Sequence, residues 1–135
     1  MGMGLNKKTI LIIEDNEEAI LLYGEILRAE NFDVIETSHG KEALAWLDSA
    51  QTVPDLIMMD LSFPHMSAKE FVTQLRQQEN FRQIPVLVIS GNVETQELAR
   101  GLNASGFIIK PFDLDDFVST VKRIIQSSGE SIHVS

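Results

Sequence analysis

The stretch TILIIEDN, Thr9–Asn16, is a run of apolar, mostly β-branched residues that stops at two acids and a helix-capping asparagine. Thr9 to Ile13 carries no polar alternation, which suits a strand covered on both faces rather than one half open to water. Asn16 can accept a hydrogen bond from the first turn of a following helix, and Glu17 and Glu18 stand where the helix dipole favours acids. A helix to about Ala29 is predicted. The unit is therefore a buried strand followed by a helix, with charge at the joint.

The same unit recurs along the chain. Asp33 to Thr37 reads as a weaker strand and Gly40 to Leu47 as a helix. Pro54 marks a turn before a third strand, Leu56 to Asp60, and a helix from about Ser67 to Gln77 follows. Pro85 opens a fourth strand that ends at Ser90, Thr95 to Asn103 is helical, and Gly106 to Ile109 is the fifth strand. Asp113 can cap a last helix in which Leu114, Phe117, Val118, Val121, Ile124 and Ile125 form one apolar stripe. Right-handed crossovers turn five such units into an α/β, doubly wound parallel sheet with helices on both faces. One domain over residues 8–126 is expected, with flexible termini at 1–7 and 127–135; the polar stretch from Ser127 is expected to fray.

A chain of 135 residues, 44% hydrophobic, is long enough to bury one continuous core. Cysteine is absent, which excludes disulfides and thiolate metal sites. The apolar runs are far shorter than the ~20 residues that span a bilayer, and Met1 to Lys8 does not read as a signal peptide, so a soluble, cytoplasmic protein is expected. Eleven Lys and Arg against twenty Asp and Glu give a net charge of -9, which repels nucleic-acid backbones and anionic membranes.

In a parallel sheet the residues just after the strands gather along one edge. Glu14 and Asp15 end the first strand, Asp60 the third, Ser90 the fourth and Lys110 the fifth. Crowded carboxylates repel one another unless cations sit among them or a proton is taken up. An all-oxygen set with room for water suits Mg²⁺ better than Zn²⁺, which recruits His or Cys. Lys110 can hold a phosphoryl oxygen and Ser90 can donate to another. A carboxylate can act as nucleophile in phosphoryl transfer, giving an acyl phosphate, and Asp60 is the best placed to do so.

Four stretches carry a family resemblance: Ile12-Ile13-Glu14-Asp15-Asn16, Leu56 through Asp60 to Pro64, Val88-Ile89-Ser90-Gly91 and Ile109-Lys110-Pro111-Phe112. In order and spacing they resemble the motifs of two-component response regulator receiver domains, over about Lys8 to Gln126. The resemblance implies the flavodoxin-like strand order 2-1-3-4-5. It makes Asp60 the phosphoacceptor, Asp15 a direct Mg²⁺ ligand, Glu14 a ligand through water and the Ser62 carbonyl a further metal ligand. It makes Lys110 the phosphate-pairing lysine, Ser90 the switch hydroxyl, Phe107 the aromatic that moves with it, and Lys110-Pro111 a cis peptide. Glu14 stands where the family often has Asp, and Ser67-Ala68 replaces a common Asp-Gly, which implies an altered loop.

As partners the resemblance implies a sensor histidine kinase or a histidine phosphotransfer protein, and a downstream protein read through the α4-β5-α5 face; it also admits a dimer formed on phosphorylation. With no output domain after Ser128, action by binding another protein or by passing phosphate onward is expected, and an excised domain fits equally. A turnover phosphatase or phosphotransferase would need an acid two residues after the nucleophile, where Ser62 stands. A flavodoxin-like cofactor protein is excluded by the acids at Glu14 and Asp15, which would repel a phosphate. Taken singly, Ser90 could be a turn residue, Phe107 an immobile core aromatic, and Trp46 a lid on the second helix. Met58, Met59 and Met66 read as packing or adaptable surface, and His39, His65 and His133 receive no role.

Overall fold

The computed structural model describes residues 7–61, 67–93 and 95–130, with side chains to 127. Strands β1 (Thr9–Ile13), β2 (Asp33–Thr37), β3 (Leu56–Asp60), β4 (Val86–Ser90) and β5 (Gly106–Ile109) alternate with helices α1 (Glu17–Ala29), α2 (Gly40–Ser49), α3 (Ala68–Gln77), α4 (Thr95–Gly101) and α5 (Leu114–Glu130). The sheet is parallel in the order β2-β1-β3-β4-β5. All five strand bounds read from the apolar runs agree with this arrangement, apart from Pro85, which precedes its strand.

Period-two alternation splits the apolar strands between two cores. Ile10, Ile12, Leu56, Met58, Leu87 and Ile89 face one side, where Tyr23 and Leu27 of α1 and Phe117, Val121 and Ile124 of α5 cover them. Leu11, Ile13, Ile57, Met59, Val86 and Val88 face the other, under Ala43 and Leu47 of α2, Phe71 and Leu75 of α3 and Ala99 of α4. Trp46 packs half-buried against this second core, as the apolar face of α2 suggested. Met58 and Met59 are both buried, so they are packing residues.

Helix ends follow local chemistry. The Asn16 side chain accepts from Ala19 N–H at 2.9 Å, and Asp113 Oδ1 accepts from Asp115 N–H at 2.8 Å. Ser67 and Glu70 form a reciprocal capping box at α3. His39, for which no role was expected, caps α2 by accepting from Glu42 N–H at 3.3 Å. Two helices stop at left-handed asparagines, Asn31 (φ 73°) and Asn103 (φ 59°). In each, the following N–H reaches back five residues, Phe32 to the Leu27 carbonyl and Ala104 to that of Ala99.

Three expectations are corrected. The helix expected over Thr95–Asn103 ends at Gly101, because Asn103 leaves helical space to close the cap. α2 continues past Leu47 to Ser49, whose hydroxyl back-bonds to the Ala45 carbonyl. Residues Ser127–Glu130, expected to fray, continue α5, since adding a residue to a formed helix fixes little and gains one bond. Met66 and His65 and the loop after β3, together with His133, lie outside the described residues. Among the described residues no helix is long and apolar enough to cross a membrane.

Gly106 opens β5 because nothing larger fits under α5. A Cβ there would stand 2.8 Å from Ile124 Cδ1 and 3.1 Å from Leu87 Cδ1, both buried. Gly106→Ala is expected to destabilise the chain by about 1 kcal/mol through overpacking. Removing the offending methyl with Ile124→Val should relieve that strain, so the double variant should lose less than the sum of the singles in urea denaturation. Strict additivity would refute the steric reading.

Candidate functional site

Because every strand runs the same way, the ends of β1, β3, β4 and β5 share one edge. The ladder extends a residue beyond the strands there: Glu14 N–H donates to the Thr37 carbonyl at 3.0 Å, Leu61 N–H to that of Ile89 at 3.2 Å and Lys110 N–H to that of Ser90 at 2.8 Å. Buried Thr37 adds a bond from its hydroxyl to the Ile12 carbonyl at 2.7 Å, fixing the backbone that carries Glu14. Side chains at these positions are therefore aimed by the sheet itself.

The structure brings Glu14, Asp60 and Lys110 together. Lys110 Nζ donates to Asp60 Oδ2 at 2.5 Å and lies 3.9 Å from Glu14 Oε1. Glu14 and Asp60 are 3% and 4% exposed, which makes them two acids taken out of water side by side. Burial pulls the Lys110 ammonium down, but the hydrogen bond and charge of Asp60, then the charges of Glu14 and Tyr23, outweigh it and hold the pKa above its ordinary value. The Glu14 carboxyl is pushed up from 4.5 to about 7, first by burial and then by Asp60, against the Asn16 N–H and Lys110. Glu14 Oε2 accepts from Asn16 N–H at 3.2 Å, while Oε1 is buried and accepts no hydrogen bond from a described residue.

Ser90 is buried at the end of β4, and its Oγ accepts from Asn92 N–H at 3.1 Å, as a turn residue does. Its own hydroxyl proton is left to donate elsewhere. Phe107 sits half-buried on β5 beside Val88 and packs on the core under α4. About 120 Å³ of open space adjoins its ring, bounded by Ala99, Ala104 and Gly106. Lys110-Pro111 is cis.

Asp15 is exposed and makes no hydrogen bond or ion pair with a described residue. Ser62 lies outside the described residues. Among the described residues no three His, Asp or Glu side chains close into a metal cage. What does fit a hard cation is the donor chemistry: carboxylate oxygens only, one of them buried and unpartnered, with a free acid next in the chain.

Sequence reasoning missed an aromatic trio behind the site. Tyr23, Phe112 and Phe117 pack with centroids 5.4–6.0 Å apart, joining α1, the segment after Lys110 and α5. Burial raises the Tyr23 phenol, Lys110 opposes that shift, and Glu14 and Asp60 add to it. The signal was present as two phenylalanines closely following Lys110, yet the tyrosine on α1 looked like any helix-face aromatic.

A carboxyl whose pKa rises on folding takes up a proton as the chain folds. The stabilising contribution of Glu14 is therefore complete below 4.5 and is lost as pH rises through about 7. In EDTA, Glu14→Gln should match wild type near pH 4.5 and exceed it by up to about 3 kcal/mol at pH 8. A pH-independent gap in denaturation midpoints would contradict this.

The description "Response regulator receiver domain" fits residues 10–122 as a family model. Among curated proteins, the polar-differentiation response regulator DivK of Brucella ovis is 32% identical over 117 residues, covering 85% of this chain and 94% of that protein. Among solved structures, the chemotaxis response regulator CheY4 of Vibrio cholerae superposes with a TM-score of 0.80 at 25% identity, covering 88% of this chain and 99% of that one. The receiver domain of a sensor histidine kinase from Pseudomonas aeruginosa, described with a magnesium ion in its active-site cleft, gives 0.81 at 24% identity and covers 90% and 99%. With strand order, strand-end charges and these likenesses in agreement, the chain belongs to the response regulator receiver domains of two-component signalling.

Proposed function

We propose that this receiver is switched by phosphorylation of Asp60, with a histidine kinase or histidine phosphotransfer protein as donor. The observation that carries the reading is the buried Asp60 carboxylate paired to Lys110 beside a Glu14 oxygen that no donor satisfies. An Asp60 oxygen attacks phosphorus in line, the bond from phosphorus to the donor imidazole nitrogen breaks, and the imidazole leaves with the electron pair. The product is an acyl phosphate on Asp60.

Glu14, Asp15, Asp60 and the Ser62 carbonyl are the residues that would hold Mg²⁺, which when bound neutralises charge on the phosphoryl oxygens. Lys110 exchanges its bond to Asp60 for one to a phosphoryl oxygen, keeping its charge because its neighbours hold the proton on. Ser90 turns its hydroxyl proton toward another oxygen, and Phe107 follows into the space beside α4. The phosphoryl group thereby shifts an existing equilibrium of the α4-β5-α5 face, where Leu98, Ile109 and Leu114 are exposed apolar residues available to a protein partner. The chain catalyses only its own phosphorylation and dephosphorylation.

Incubated with Mg²⁺ and a small acyl-phosphate donor, the wild type should gain one phosphoryl group by intact mass, and Asp60→Asn none. No adduct on wild type with Mg²⁺ bound would defeat the proposal, and an adduct on Asp60→Asn would move the acceptor elsewhere. By calorimetric titration, Asp15→Asn should bind Mg²⁺ about tenfold or more weakly than wild type. Equal affinity would remove Asp15 from the metal site.

A further inference from the structure

At the opposite edge of the sheet from Asp60, before β4 and β5 begin, lies an open cleft of about 420 Å³. Its polar walls come from Arg76, Arg82, Gln83, Asn103 and Ser105, over an apolar floor that includes Leu102. No carboxylate lines it, although the chain carries a net charge of -9. Two arginines, neither in an ion pair among the described residues, thus line one concavity of an acidic protein.

Arg76 is held rigidly. Its Nη1 donates to three carbonyls of the segment joining α3 to β4, those of Phe81 at 3.2 Å, Arg82 at 2.9 Å and Ile84 at 2.7 Å. Its Nε and Nη2 hydrogens find no acceptor among the described residues. Burial pulls this guanidinium below the ordinary arginine value, and no carboxylate offsets that pull. The Arg82 side chain makes one long contact, from Nε to the Arg76 carbonyl at 3.5 Å, and its terminal nitrogens meet no acceptor among the described residues. Asn103 is fixed in left-handed backbone as the cap of α4, so its place on the rim is set by the fold.

We infer that this cleft binds a small organic phosphate monoester, its phosphate on Arg76 and Arg82 and its organic body over Ile84, Pro85 and Leu102. Planar guanidinium forks match phosphate oxygens bidentately, and two such cations balance the charge of about −1.5 to −2 on a monoester better than that of a single carboxylate. The volume lies within the range of small-molecule sites. Its walls join the α3–β4 segment to the α4–β5 turn, so an occupant ties together the elements on either side of β4. Nothing in the Asp60 chemistry uses these residues.

The test is nitrogen–proton correlation spectroscopy in EDTA with phenyl phosphate, phenol and benzoate as probes. Phenyl phosphate should give saturable shifts at the Gln83, Asn103 and Ser105 amides and at the Arg76 and Arg82 Nε–H signals, and phenol none. Arg82→Gln, which removes one exposed and weakly bonded side chain, should leave the rest of the spectrum in place and weaken binding about fivefold or more. Absence of saturable shifts, equal binding by Arg82→Gln, or equal shifts with phenol would overturn the site. Benzoate binding as tightly as phenyl phosphate would overturn the phosphate assignment.

Discussion

Two carboxylates buried side by side are an electrostatic cost, and one ammonium reaches them both. Lys110 stands 50 positions beyond Asp60 in the chain, yet the sheet delivers its Nζ to both Asp60 and the neighbourhood of Glu14. Taking an acid from water disfavours its charged form, and a like charge beside it does so again. The cluster answers both penalties partly with the lysine and partly with the affinity of Glu14 for a proton. One ammonium against two carboxylates leaves the cluster with more acid than base.

The rest of the architecture serves that placement. Parallel strands whose alternate residues feed two separate cores leave the strand ends no freedom to slide, since a one-residue slip would exchange the cores. The backbone bonds just past the strands fix Glu14, Leu61 and Lys110. Tyr23, Phe112 and Phe117 then anchor the chain after Lys110 between α1 and α5. Side-chain precision here draws on the sheet and on aromatic packing.

Strands β1, β3 and β4 were legible in the sequence because short apolar runs are cut off by Pro and polar residues, and because burial on both faces removes the alternation that would blur them, whereas β2, partly exposed, read more weakly. Glu14, Asp60 and Lys110 were legible for the same reason: a charge terminating a buried strand is conspicuous. Helix ends were less so. Asn103 is a residue type that favours the left-handed cap it forms, a signal the apolar spacing alone does not carry, and α5 runs on where its polar tail suggested a stop. The Tyr23 trio, the His39 cap and the Arg76 clamp depend on which helices meet, which periodicity does not state. Arg76 in particular reads as one more charge at a helix end, though it fastens an entire connection.

The distribution of the cluster over β1, β3 and β5 also bears on the order in which the molecule can be assembled. A chain emerging from its amino end presents Glu14 and Asp60 long before the cation that joins them. Pairing β1 with β3 brings Glu14 and Asp60 to one edge, and only the pairing of β5 with β4 adds the ammonium of Lys110. The charge-paired cluster of Glu14, Asp60 and Lys110 therefore exists only in the complete sheet, since no smaller set of paired strands contains all three.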